Sequence, residues 1–294
     1  MSILKVAYAT PSRIKGVIRY LLQARGEREK RDILEAILSP EALINKGNDK
    51  EPSRSMIKET IRESIKMGLL EESQDKSEVF LNLKPKLKND CSLPSILSQL
   101  LLNQLDNTEN HDFGKVLAWY LAQDFFDAPG NWQETEQRLR EQIGSDLLDL
   151  NDVRYGQFED WSCYLGFSWK NALIDNPVLV PDPTAYLREN IDKIFENQSV
   201  RQIPLGEFIN LLGKYCPVFE TGELREEIEQ QIGLREPNHL SSVTSVMLRR
   251  LEDEGLIKLE RLSDTSILVL RDGSGDSRIS HITWLHNNSN GGRP

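Results

Sequence analysis

Residues 53–83 read SRSMIKETIRESIKMGLLEESQDKSEVFLNL, and this stretch decides the fold. Ile57, Ile61 and Ile65 recur every fourth residue, the spacing of one buried stripe on a helix. Gly68 follows the last turn, where a residue at positive φ ends a helix without a Cβ penalty. Leu69 and Leu70 open a strand, Gln74-Asp75-Lys76 makes a polar turn, and Val79 to Leu83 alternates as a return strand.

The same grammar recurs 187 residues further on. Placing Gly68 on Gly255 sets Leu69-Leu70 on Leu256-Ile257, Ile61 on Leu248, and the return strand on 266–270. Helix, glycine, two apolar residues and a hairpin form the second half of a winged helix. Two copies of matching length predict two such modules.

Outward from the first copy, residues 11–25 read as a helix with Ile14, Val17, Ile18, Leu21 and Leu22 on its core face. Gly26 ends it. Residues 28–38 read as a second helix carrying Ile33, Leu34, Ile37 and Leu38, and 39–52 as a polar loop. Ser53 or Ser55 then caps the third helix. Beyond a polar connector at 84–93, helices are expected over 93–110, 111–126, 132–143 and 156–170. A rigid turn at 179–184 leads into a helix over 185–195, and the second copy supplies helices at 205–214, 223–232 and 241–254. The expected fold class is mainly α with small β-hairpins (α+β). A winged helix at 1–90, a helical middle domain at 91–198, a winged helix at 199–286 and a disordered tail at 287–294 make up the chain.

Composition bounds the rest. With 38% hydrophobic and 28% charged residues the chain reads as a soluble globular protein, with no run long enough for a membrane span or a signal peptide. Cys91, Cys163 and Cys216 lie far apart, giving neither a disulfide framework nor a CxxC pair, so the cytoplasm is the expected compartment. The net charge of −10 disfavours indiscriminate DNA binding, but its distribution is uneven. Residues 1–90 carry 18 Lys and Arg against 14 Asp and Glu, whereas 91–294 carry 18 against 32.

On the third helix, Arg54, Lys58, Arg62 and Lys66 recur every fourth residue beside the isoleucine stripe. In a helix-turn-helix protein that face enters the major groove, where Arg and Lys read guanine edges or pair with phosphates. Lys84, Lys86 and Lys88, after the wing, would add backbone contacts. Glu59 and Glu63 beside Lys58 and Arg62 keep an ordinary solvated face open as the alternative. The third helix of the second copy presents Ser241, Ser242, Thr244, Ser245, Arg249 and Arg250, with Glu252, Asp253 and Glu254 close by. Those acids favour a protein-binding or architectural role there.

No catalytic motif is visible. Pro181-Asp182 resembles the start of a Pro-Asp…(Asp/Glu)-x-Lys nuclease core, but the downstream half is missing, and a turn with a helix start accounts for it. His111, His239, His281 and His286 are dispersed, with no metal-ligand spacing. There is no phosphate-binding glycine loop and no Gly-x-Ser-x-Gly, so no cofactor and no metal are expected. The aromatic cluster Tyr155, Phe158, Trp161, Tyr164, Phe167 and Trp169 reads as a helical core before it reads as a base-stacking surface.

Together with the N-terminal module, three stretches carry a family resemblance. FEDWSCYLGF at 158–167, VPDPT at 180–184 and LRRLEDEGLI at 248–257 are similar to the DpdG family. That family comprises accessory proteins of bacterial Dpd clusters, which insert deazaguanine bases into DNA and restrict unmodified DNA. The resemblance implies a place beside DNA-acting helicases, nucleases or modification enzymes, and carries over no catalytic residue. The expected function is thus a non-enzymatic DNA-associated subunit of a modification or restriction system acting in phage defence. It would touch double-stranded DNA through the first module and other subunits through its acidic remainder, with no membrane partner. A dimeric transcriptional regulator and a purely protein-binding scaffold are the alternatives.

Overall fold

A computed structural model describes residues 3–44, 54–82, 90–102, 111–144, 150–173, 175–262, 266–273 and 275–285. Among them the chain is a mixture of eleven α-helices and small antiparallel sheets of two or three strands. It divides into two compact units, residues 1–100 and 101–294. The expected tail at 287–294 lies outside the described residues, as does most of the connector at 84–93.

The first unit runs α1 (Pro11–Gln23), β1 (Arg28–Lys30), α2 (Arg31–Leu38), α3 (Ser55–Lys66), β2 (Leu70–Glu72) and β3 (Glu78–Leu81). Its sheet has the order β1-β3-β2. Ile14, Val17, Ile18 and Leu21 of α1 meet Leu34, Ile57, Ile61, Leu69, Leu70 and Val79 in the core, all buried. Each such side chain contributes about 1.5–3 kcal/mol on leaving water. At the end of α3, Gly68 takes φ 72°, its amide donates to the Ile65 carbonyl at 2.9 Å, and the Leu69 amide to that of Ser64 at 2.9 Å.

Three expectations change here. Residues 28–30 are a strand, because Gly26 at φ 74° turns the chain and Arg28 to Lys30 pair with Phe80 to Glu78. The third strand completes a sheet that a lone hairpin would hold only marginally. On the short α2, Ile33 and Ile37 are exposed, and Glu35 joins Leu34 on the buried side. Ser55 is the first helical residue of α3 and caps nothing, since Arg54 holds the cap position without a side-chain bond. Ser53 lies outside the described residues.

Helix α4 (Leu93–Leu102) spans the division between the units. The second unit continues with α5 (His111–Leu121), α6 (Trp132–Gln142), α7 (Asp152–Tyr164), β4 (Ser168–Asn171), β5 (Val178–Pro181) and α8 (Thr184–Phe195). Then follow β6 (Gln202–Pro204), α9 (Leu205–Tyr215), α10 (Glu223–Ile232), α11 (Ser242–Asp253), β7 (Ile257–Glu260), β8 (Leu268–Arg271), β9 (Asp276–Ile279) and β10 (His281–Trp284). The helix expected over 156–170 is shifted. It starts where Asn151 accepts the Arg154 amide at 3.0 Å, and stops before Gly166, whose φ is 85°. Its expected last turn is strand β4, paired with β5, so the aromatic middle contains a hairpin as well as helices.

From α8 onward the first unit's plan returns. Helix α8, β6, α9, α11, β7 and β10 follow the order of α1, β1, α2, α3, β2 and β3, and the sheet order β6-β10-β7 matches β1-β3-β2. Equivalent backbone bonds recur. The Arg31 amide donates to the Ser77 carbonyl at 2.8 Å, and that of Leu205 to Ser280 at 2.8 Å. The Asn82 amide donates to Leu69 at 3.0 Å, and that of Leu285 to Leu256 at 2.8 Å. The second copy carries two insertions, α10 before α11 and the β8–β9 hairpin between β7 and β10. The return strand expected at 266–270 is therefore corrected. Leu268 to Arg271 pair with Asp276 to Ile279, and β7 finds its partner in β10.

Candidate nucleic-acid interface

Of the four cations that the spacing puts in one stripe on α3, three stand open and Arg54 does not. Lys58, Arg62 and Lys66 are exposed in line, while Thr60 and Ser64 turn inward and donate to the Met56 and Thr60 carbonyls at 2.8 Å each. Arg54 is half-buried, its Nε donating at 3.2 Å to the carbonyl of Ser39, the residue that closes α2. It ties the start of α3 to the end of α2. Lys84 and Lys86 lie outside the described residues.

Carboxylates accompany these cations. Lys66 Nζ is 2.6 Å from Glu63, whose carboxylate also lies 3.5 Å from Arg62 Nε. Glu63 itself is buried. Glu35, also buried, sits 3.3 Å from Arg31 Nε and 4.0 Å from Lys58 Nζ. Glu59 pairs with the Nη2 edge of Arg62. Beside the stripe opens a cleft of about 680 Å³, lined by Lys30, Arg31, Asp32, Glu35, Lys58 and Lys76. Lys30 and Lys76 are candidate residues that the sequence reading missed, because 28–30 reads as helix and 74–76 as an anonymous turn.

The turn that presents Lys76 is well fixed. Asp75 accepts from Ser73 Oγ at 2.6 Å, from the Ser77 amide at 3.1 Å and from Ser77 Oγ at 2.8 Å. The Ser73 bond first, then those of Ser77, pull its carboxyl down to a pKa of about 2. Lys76 takes φ 58° and is highly exposed at the tip.

The corresponding face of α11 is spent within the unit. Ser245 stands where Lys58 stands on α3; it is buried and accepts the Arg271 amide of β8 at 2.9 Å. Ser241 accepts the Thr244 amide at 3.2 Å and donates to Glu220 at 2.5 Å. Ser242 accepts the Phe125 amide at 2.8 Å and donates to Asp124 at 3.1 Å. Arg249 bonds Asp272 at 2.7 Å and Glu252 at 2.8 Å, while Arg250 pairs with Asp182 and lies 5.6 Å over the Phe125 ring. Thr244 is buried.

Beneath α11, Glu220 is buried at φ 32° and paired with Arg235, which also reaches Glu229 at 2.8 Å. Glu229 accepts from the buried Arg225 at 2.6 Å. Desolvation lowers the pKa of both arginines.

Other motifs have structural duties. Asp182 accepts from the Thr184 amide at 3.1 Å and from its hydroxyl at 2.5 Å, opening α8, and its second oxygen takes the Trp169 indole at 3.2 Å. Tyr155, Phe158, Trp161 and Phe167 are buried core. Burial pushes the Cys163 thiol up to about 11 and that of Cys216 to about 12. Among the described residues no three His, Cys, Asp or Glu side chains converge as a metal site, and no helix is long and apolar enough to cross a membrane.

The chain is thus an α/β protein built on a twice-used module of helices and three strands, one copy with an open cationic helix and one with that helix covered. It belongs to the DpdG-like family, whose model matches residues 1–265, and the resemblance carried by 158–167, 180–184 and 248–257 is borne out. Membership suggests association with the Dpd modification system. No curated protein and no solved structure matches the chain.

Proposed function

We propose that both modules are winged helices, and that the first contacts double-stranded DNA through α3, with the β2–β3 turn as its wing. The protein is then a non-enzymatic accessory subunit of a bacterial modification or restriction system, holding DNA with one unit and protein partners with its acidic remainder. The strand order β1-β3-β2 around three helices supports the winged-helix reading. The observation that carries the DNA reading is the open row of Lys58, Arg62 and Lys66, set against the covered face of α11. In such modules the third helix meets the groove and the wing, here tipped by Lys76, meets the backbone.

The test is titration of labelled duplex DNA with the whole protein at low salt, wild type beside Lys58→Ala/Arg62→Ala. Arg54 is left in place because it ties α3 to the Ser39 carbonyl, and Lys66 and Arg31 stay so that the buried Glu63 and Glu35, which also face Arg62 and Lys58, each keep one cation. The reading expects at least a tenfold loss of affinity, and a log–log salt slope shallower by about 2. If wild type fails to bind, or the variant binds equally well, α3 is not a DNA surface.

A further inference from the structure

We propose that Glu59 is a built-in competitor for phosphate at Arg62, setting the affinity of α3 for DNA below what its cations alone would give. The inference rests on the DNA reading above and concerns how that site is tuned. Three carboxylates accompany the cationic row, and they are not alike. Glu63 and Glu35 are buried, and each holds two cations: Arg62 with Lys66, and Arg31 with Lys58. They hold the charged ends of the row from the buried side and belong to the packing of the unit.

Glu59 is different. Its side chain keeps 29% of its surface exposed, and its one ion pair among the described residues is with Arg62, three residues on. Arg62 has a second anchor besides Glu59, because its Nε lies 3.5 Å from the Glu63 carboxylate. What Glu59 occupies is Nη2, the nitrogen common to both two-donor edges of the guanidinium, Nε/Nη2 and Nη1/Nη2, on a side chain that remains 53% exposed. A guanidinium grips phosphate through two parallel N–H bonds, and an edge already filled by a carboxylate is unavailable for that grip. A phosphate gripping Arg62 through two N–H groups must displace Glu59, and afterwards lies beside its negative charge. The helix therefore carries its own anion at the position where the ligand's anion would sit.

Glu59→Gln keeps the length and an acceptor oxygen while removing the charge. The expected result is DNA binding about twofold to fivefold tighter at low salt, from the usual size of one exposed charge pair. The salt slope should steepen by up to about 0.9, one further phosphate neutralised. Glu207→Gln on α9 changes the net charge equally and serves as the control. In the background of Arg62→Ala the gain should vanish, which a general charge effect would not produce. Wild-type binding with an unchanged Glu59→Gln overturns the inference and leaves the DNA reading intact, as does a gain equal to that of Glu207→Gln. Absence of binding by wild type and by Glu59→Gln alike overturns both. Matching thermal melts of wild type and Glu59→Gln verify that the fold is unchanged.

Discussion

The amide of Arg271 donates to Ser245 Oγ at 2.9 Å, at the place on α11 that Lys58 occupies on α3. One copy of the module thus offers the outward face of its third helix, and the other closes that face with an inserted hairpin. Arg249→Ala is accordingly expected to leave DNA affinity unchanged. It removes a donor to the nearly buried Asp272 carboxylate and should cost the second unit about 1–2 kcal/mol. Denaturant unfolding and a DNA titration on the same variant examine both halves of that expectation.

Gly68 and Gly255 end α3 and α11 at φ 72° and 71°. A methyl group would have open space at both positions, so the cost of alanine is conformational alone. Gly68→Ala and Gly255→Ala should each destabilise by about 1–2 kcal/mol. Unequal effects in urea unfolding would mean that the two helix ends are not equivalent.

Glu220→Gln leaves an acceptor for Ser241 but removes the charge facing Arg235, which keeps Glu229. A loss of about 2–3 kcal/mol is expected, below that of a fully orphaned buried ion because Arg235 retains a partner. Ser241→Ala should cost about 1 kcal/mol, a capping bond. Differential scanning calorimetry distinguishes the two magnitudes.

The β2–β3 turn depends on the ionised form of Asp75. Its folded pKa of about 2 lies below the ordinary value of 3.8, so its contribution is complete above the unfolded pKa and is lost as pH falls through about 2. Carbon-detected NMR of the carboxyl should place its midpoint near that value. In Asp75→Ala, the part of the stability slope between about pH 4 and pH 2 that belongs to this group should disappear.

Helix α3 and its glycine stop are legible because a period-four isoleucine row and one residue at positive φ are local signals. The second copy is legible for the same reason at Leu248 and Gly255. Strand β1 is not, since Arg28-Glu29-Lys30 has no apolar alternation and becomes a strand only by pairing with β3. The return strand of the second copy misleads: Leu268 to Leu270 has the right character, but the inserted hairpin hands the pairing with β7 to His281–Trp284. At the site, the cations of α3 stand in plain sequence. The contributions of Glu35, Lys30 and Lys76 depend on contacts between elements far apart in the chain.

The middle strand of the second sheet has a temporal consequence. Ile282 of β10 pairs with Ile203 on one side and Leu259 on the other, so β6 and β7 have no common neighbour until the ribosome has released residue 284. Synthesis can complete the sheet of the first unit once Leu81 has emerged, long before that moment. The helix with the open cationic row is therefore the early product of translation, and the unit with the covered helix is sealed after it, following a wait of about 80 residues between β6 and its partner.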